Sequence, residues 1–153
     1  MSELIEIVFQ NVMVHKLVAI ISEQICPQVL SASYNGEDIQ NRFEKNVFEE
    51  SLAGMKNGDS IFLNTRMIAS NSTEVQFCSA QIIKYNNILD LSLIFDLEDL
   101  PKSSEASIPH LLRDFAFNIA QKYSIDVYYG GIEPACDKQT QLFAGTELGP
   151  LKF

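Results

Sequence analysis

At 153 residues, with 46% apolar and 20% charged side chains, the chain has the composition of a folded domain rather than a disordered polymer. Its formal charge of −9, from 20 Asp and Glu against 11 Lys and Arg, repels phosphate backbones and anionic lipid, which argues against nucleic-acid and membrane partners and favours a basic protein. A chain this long buries roughly 70% of its unfolded surface without metal or disulfide, so residues 1–153 read as a single domain.

The start, Met-Ser-Glu-Leu-Ile-Glu, is acidic where a secretory signal is basic, and the apolar run from Leu17 to Ile21 is too short to cross a bilayer, so a cytoplasmic location is expected. Leu4 to Phe9 sets Ile5, Ile7 and Phe9 against Glu6 and reads as a first strand in preference to the lead-in of a helix. Val14, Leu17, Val18, Ile21 and Ile25 then share a helical face that Pro27 stops near Cys26. Ser31 to Gly36 reads as a loop. Ile39, Phe43, Val47, Phe48 and Leu52 mark a second amphipathic helix, with Glu44, Glu49 and Glu50 outside and Gly54 placed to cap it.

Lys56-Asn57-Gly58-Asp59 is a turn. Three strand-like runs follow, Ser60 to Ala69, Thr73 to Lys84 and Ile88 to Phe95, joined by corners at Asn71-Ser72 and Asn86-Asn87 too short for anything but antiparallel neighbours. In the third run Leu89, Leu91, Leu93 and Phe95 alternate with Asp90, Ser92 and Asp96, which predicts one buried and one wetter sheet face, with Leu91 and Leu93 deep in the core. Leu97 to Glu105 is an acidic loop.

From Ser107 to Tyr123, Ile108, Leu111, Leu112, Phe115, Ile119 and Tyr123 predict a third amphipathic helix, capped by Ser107 and carrying Pro109 in its first turn. Ile125, Val127 and Tyr129 alternate with Asp126 and Tyr128 in a strand that Gly130-Gly131 is expected to end. The tail from Ile132 predicts irregular structure with one short strand near Gln141 to Phe143. The fold class is therefore α+β: an antiparallel meander with two or three amphipathic helices on one face.

Candidate chemistry is sparse. Cys26, Cys78 and Cys136 form no close pair and no metal spacing, and Asn71-Ser72-Thr73 matters as a glycosylation sequon only in a secreted protein. His15 and His110 each stand beside a helix start and read as structural. Lys16, Arg42, Lys45, Arg66, Arg113 and Lys122 are scattered singly, with no basic cluster for nucleic acid. The Gly130-Gly131 pair lacks the downstream glycines and lysine of a nucleotide loop, and Asp96, Glu98 and Asp99 lack the ligand ladder of a calcium loop. No cofactor or metal is expected. Glu133, Cys136 and Asp137 occupy a turn after a strand, where a rigid scaffold presents binding groups; the plainer account, preferred on the residues alone, is a chain reversal with solvated carboxylates, and Glu133 is either a contact or a structural anchor.

An acidic α+β domain ending in helix, strand, Tyr128-Tyr129-Gly130-Gly131-Ile132-Glu133-Pro134-Ala135, then Asp137, Thr140 and Phe143, resembles bacterial immunity proteins of polymorphic or contact-dependent toxin systems over its last third. The resemblance implies a non-enzymatic protein that binds and blocks a cognate toxin, often a nuclease with a basic active site. On that reading the acidic loops make the contacts, through Glu98, Asp99, Glu133 and Asp137. Two other readings stand beside it. One is a small hydrolase or transferase using Cys136 with His110, the helix start lowering the thiol pKa. The other is an adaptor or subunit that oligomerises, as a homodimer for instance, through an apolar sheet edge or through the tail, whose Phe143, Leu148, Leu151 and Phe153 must pack on their own domain or on another chain.

Overall fold

A computed structural model of the chain describes residues 3–25, 31–39, 45–70, 73–100 and 108–151. β1 (Leu4–Gln10) leads into α1 (Val14–Ile20), which widens into a π-helical turn, Ile21–Ile25. β2 (Ser31–Tyr34) and β3 (Glu37–Asp38) precede α2 (Lys45–Ala53); β4 (Ser60–Ser70), β5 (Thr73–Tyr85) and β6 (Ile88–Asp96) follow. After a 3-10 turn at Leu97–Asp99 come α3 (Ile108–Tyr123), β7 (Val127–Ile132), β8 (Gln141–Ala144) and β9 (Glu147–Leu148). The strands form one antiparallel sheet in the order β3-β2-β4-β5-β6-β1-β7-β8-β9.

The predicted meander is present, and its corner at Asn86-Asn87 has the expected chemistry. Asn86 and Asn87 have φ of 49° and 62°, the two positive values that a two-residue hairpin matching the sheet's twist requires. β1 is not at an edge. It lies between β6 and β7 and pairs antiparallel with both, Ile7 opposite Leu93 on one side and Gly130 on the other. This explains why so short a strand is so apolar: Ile5, Ile7 and Phe9 are fully buried.

Register divides the sheet into two faces. Ile5, Ile7, Phe9, Leu91, Leu93, Ala80, Ile82, Ile61 and Leu63 join Leu17, Val18, Phe48, Leu52, Leu112, Phe115 and Ile119 in one continuous core under the helices. Their alternates on the other face, among them Phe62, Gln81, Ile83, Asp90, Ser92 and Ile94, are half-buried or exposed.

Several expectations are corrected. Ser31 to Gly36 is not a loop: β2 and β3 form a hairpin whose turn residues, Asn35 and Gly36, have φ of 51° and 84°. Its strands are too short and polar to show alternation. Among the described residues α2 covers Lys45–Ala53, with Ile39 outside it, and Val47 is exposed while Phe48 and Leu52 are buried; residues 40–44, which include Phe43 and Glu44, lie outside the described residues, as do Cys26, Pro27, Asn71-Ser72, Ser107 and Phe153. The Gly130-Gly131 pair does not end β7 but sits inside it, paired with Ile7 and Glu6 of β1. Tyr128 is buried and Val127 is 50% exposed, the reverse of the phase read from Ile125, because Ile125 precedes the strand and is buried independently. The tail adds two strands, β8 and β9, where one was expected.

Candidate functional site

β6 and β7 both run antiparallel to β1, one on each side, so the turns that follow them leave the sheet at the same end. The Leu97 N–H donates to the Glu3 carbonyl at 2.9 Å, and the Glu133 N–H to the Leu4 carbonyl at 3.0 Å. With two strand spacings of about 4.8 Å between β6 and β7, these departure points stand roughly 10 Å apart. Glu98 and Asp99 are exposed on the first turn, Glu133 and Asp137 on the second, and Glu3 is exposed between them. The fold thus brings all four sequence-predicted residues to one end of the sheet, as two pairs flanking β1.

Both turns are built rigidly. In the first, Asp96 Oδ1 accepts from the Glu98 N–H at 2.8 Å, and the buried Leu100 closes the 3-10 turn by donating to the Leu97 carbonyl. In the second, Asp137 Oδ1 accepts from the Gln139 N–H at 3.1 Å, which makes Asp137 the cap of the short 3-10 helix Lys138–Thr140 as well as a surface carboxylate. Thr140 Oγ1 donates to the Pro134 and Asp137 carbonyls, and Gln141 Nε2 to the Ala135 carbonyl at 3.0 Å. Ala135 is fully buried, and its N–H donates to Glu6 Oε1 at 3.1 Å. Glu133 precedes Pro134 through a cis peptide bond and is exposed.

Glu6 was not a candidate from the sequence, although one carboxylate within Leu-Ile-Glu-Ile-Val-Phe was a signal. The β6 and β7 turns are joined to β1 by backbone bonds at Glu3 and Leu4, and the second turn also by the Glu6 side chain.

Beside the first turn, on the sheet face away from the helices, lies a groove of about 530 Å³ lined by Leu4, Phe77, Ile94, Asn64, Asp96 and Asp99 among others. Further along this face Tyr85 donates to Asp90 Oδ2 at 2.8 Å, a hydrogen bond that, more than burial, raises the Tyr85 pKa. Gln10 Nε2 donates to the Tyr129 hydroxyl at 3.4 Å, and burial raises the pKa of Tyr129.

A second carboxylate hub lies at the opposite end of the sheet. Asp59 accepts from the Tyr34 hydroxyl at 2.6 Å, the Lys56 N–H at 2.8 Å and Asn35 Nδ2 at 3.0 Å, which together hold its pKa down to about 2, the tyrosine contributing most. It ties the β2–β3 hairpin to the start of β4, a structural duty that the turn Lys56-Asn57-Gly58-Asp59 did not reveal because its partners are 24 and 25 residues away.

Cys136 is exposed on the second turn and His110 is exposed in the first turn of α3; no hydrogen bond joins them. Burial pushes the Cys78 thiol up to about 12, which suits a core side chain and not a nucleophile. Among the described residues no group of three or more His, Cys, Asp or Glu could hold a metal ion. None of their helices is long and apolar enough to cross a membrane.

Residues 3–148 match the family model described as PABL017 Cdi1I immunity protein. The fold is similar to a chain of the crystal structure of the toxic C-terminal tip of CdiA from Pseudomonas aeruginosa in complex with immune protein. The TM-score is 0.76 and the identity 22%, over 99% of each chain. No curated protein matches the chain.

Proposed function

The chain belongs to the Cdi1I immunity protein family, and from that membership we propose that it binds and neutralises a cognate toxin in the cytoplasm, meeting a basic surface of that toxin with its acidic turns. The observation that carries the choice of surface is the convergence of Glu98, Asp99, Glu133 and Asp137 at one end of the sheet, around Glu3. Complementary charge of this kind speeds encounter and makes it sensitive to salt. Holding these carboxylates on turns pinned to β1 limits the entropy lost when they are engaged.

The direct test is purification of the chain with the product of the neighbouring toxin gene. Complex formation is expected, with an association rate that falls as ionic strength rises and that drops again in the combined variant Glu98→Lys, Asp99→Lys, Glu133→Lys. A neighbour without a toxin domain, together with no complex, defeats the proposal; a complex indifferent to salt and to the charge reversals removes the acidic turns from it.

Charge alone does not hold such a complex. Exposed ion pairs contribute about 0.2–1 kcal/mol each, so four give at most about 4 kcal/mol. Even a micromolar complex needs about 8 kcal/mol.

A further inference from the structure

The sheet face turned away from the helices supplies what the turns lack. Phe77 on β5 is 70% exposed, and Leu4 and Tyr85 are each more than 40% exposed. Phe77, Leu4 and Ile94 line the groove that also reaches Asp96 and Asp99, so the apolar face is continuous with the first acidic turn. Across the central strands β5, β6, β1 and β7, the charged side chains that register places on this face are Glu6, Glu74, Asp90 and Asp96, all negative, and Arg66 of neighbouring β4 is held by Glu74 at 3.9 Å. Lys84, the nearest cation on those strands, lies on the other face, where its Nζ donates to the Met55 carbonyl at 2.8 Å.

We infer that the toxin footprint extends from the acidic turns onto this face, and that the groove seats an arginine or lysine of the toxin, its aliphatic stem on Leu4, Phe77 and Ile94 and its cationic head toward Asp99. The inference rests on the function proposed above and names where the binding energy comes from. A long basic side chain matches a groove of mixed character because it buries its methylenes while keeping its charge near carboxylates, and the Phe77 ring adds a surface on which a cation stacks. A second copy of this chain is a poor occupant, since it would bring Glu6, Asp90 and Asp96 against their own kind. An anionic membrane is repelled for the same reason. Exposed aromatics next to a charged rim are also the arrangement in which a few central side chains dominate affinity.

The test measures the Kd for the purified, catalytically disabled toxin region encoded beside this chain's gene. Wild type is compared with Phe77→Ser, Asp99→Lys and, as a control from the helix side, Phe117→Ser. Phe77→Ser is expected to weaken binding by about tenfold or more with an unchanged melting temperature, because the side chain is exposed and contributes little to the core. Asp99→Lys weakens it as well, and Phe117→Ser leaves it unchanged. If wild type binds while Phe77→Ser and Asp99→Lys bind equally well, the footprint lies elsewhere and the inference falls while the functional proposal stands. If wild type does not bind, both fall. A Phe77→Ser variant that changes the mass in solution but not toxin affinity shows that the face belongs to a second copy, and overturns the inference too.

Discussion

The glycine pair in β7 gives the sharpest test of the packing. A Cβ added to Gly130 would lie 2.5 Å from Cε1 and 2.6 Å from Cζ of Phe143, against an ordinary carbon contact of about 3.5–4.0 Å. Phe143 is fully buried and pairs with Gly130 across the β7–β8 ladder, so its ring has little room to withdraw. Gly130→Ala should therefore incur overpacking of about 1–3 kcal/mol, which outweighs the roughly 0.4–1 kcal/mol gained by stiffening the unfolded chain. A net loss of about 1–2 kcal/mol corresponds to a fall in Tm of roughly 2–8 °C for a chain of this size. Urea unfolding followed by circular dichroism is the suitable assay, since the chain has no Trp to report by fluorescence.

The decisive measurement is a double-mutant cycle. Phe143→Ala alone should cost about 3–5 kcal/mol by transfer and cavity terms. With the ring gone, the Cβ of Gly130→Ala has space, so the double variant should be more stable than the two single losses predict, by about 1 kcal/mol. Strict additivity, or a Gly130→Ala midpoint equal to wild type, would refute the view that the glycine exists to admit the ring. Gly131→Ala should be worse than Gly130→Ala, because its Cβ meets backbone, the Thr140 carbonyl and, at 2.8 Å, the Gln141 Cα, which cannot rotate away.

Phe115→Ala, within the core under α3, should cost about 3–5 kcal/mol, whereas Glu133→Ala on its exposed turn should change stability by less than about 0.5 kcal/mol; comparable losses would make Glu133 a structural anchor and not a contact. Asp59 has a folded pKa below its unfolded value, so its contribution to stability is present above the ordinary carboxylate range and is lost as pH falls toward about 2. Subtracting the acid-unfolding curve of Asp59→Asn from that of wild type should show a difference that fades between about pH 4 and 2; parallel curves would contradict the hydrogen-bond assignment. Under native conditions a thiol reagent should label Cys136 rapidly and Cys78 only on unfolding, read by peptide mass; fast labelling of Cys78 would mean that β5 opens locally.

The sequence by itself determined the elements whose signals are local. The three-stranded meander was legible because Asn86-Asn87 and the alternation of Leu89, Leu91, Leu93 and Phe95 act over a few residues, and α3 because Ile108, Leu112, Phe115 and Ile119 repeat at helical spacing. Acidity and the Tyr128 to Phe143 tail pointed to an immunity protein, and the family match bears that out. What only the tertiary structure decided depends on pairs of residues far apart in the chain. β1 became the centre of the sheet because Ile5, Ile7 and Phe9 needed neighbours on both sides, and those neighbours lie more than 80 residues away. The Gly130-Gly131 pair looked like a stop because glycine usually marks turns; here it admits Phe143 of the next strand and the Thr140 backbone of the 3-10 turn that leads into it. Residues 98–99 and 133–137 could be named from sequence as acidic turns. Their meeting at one end of the sheet is a consequence of two strands flanking a third, a relation that exists only once the ladder is formed.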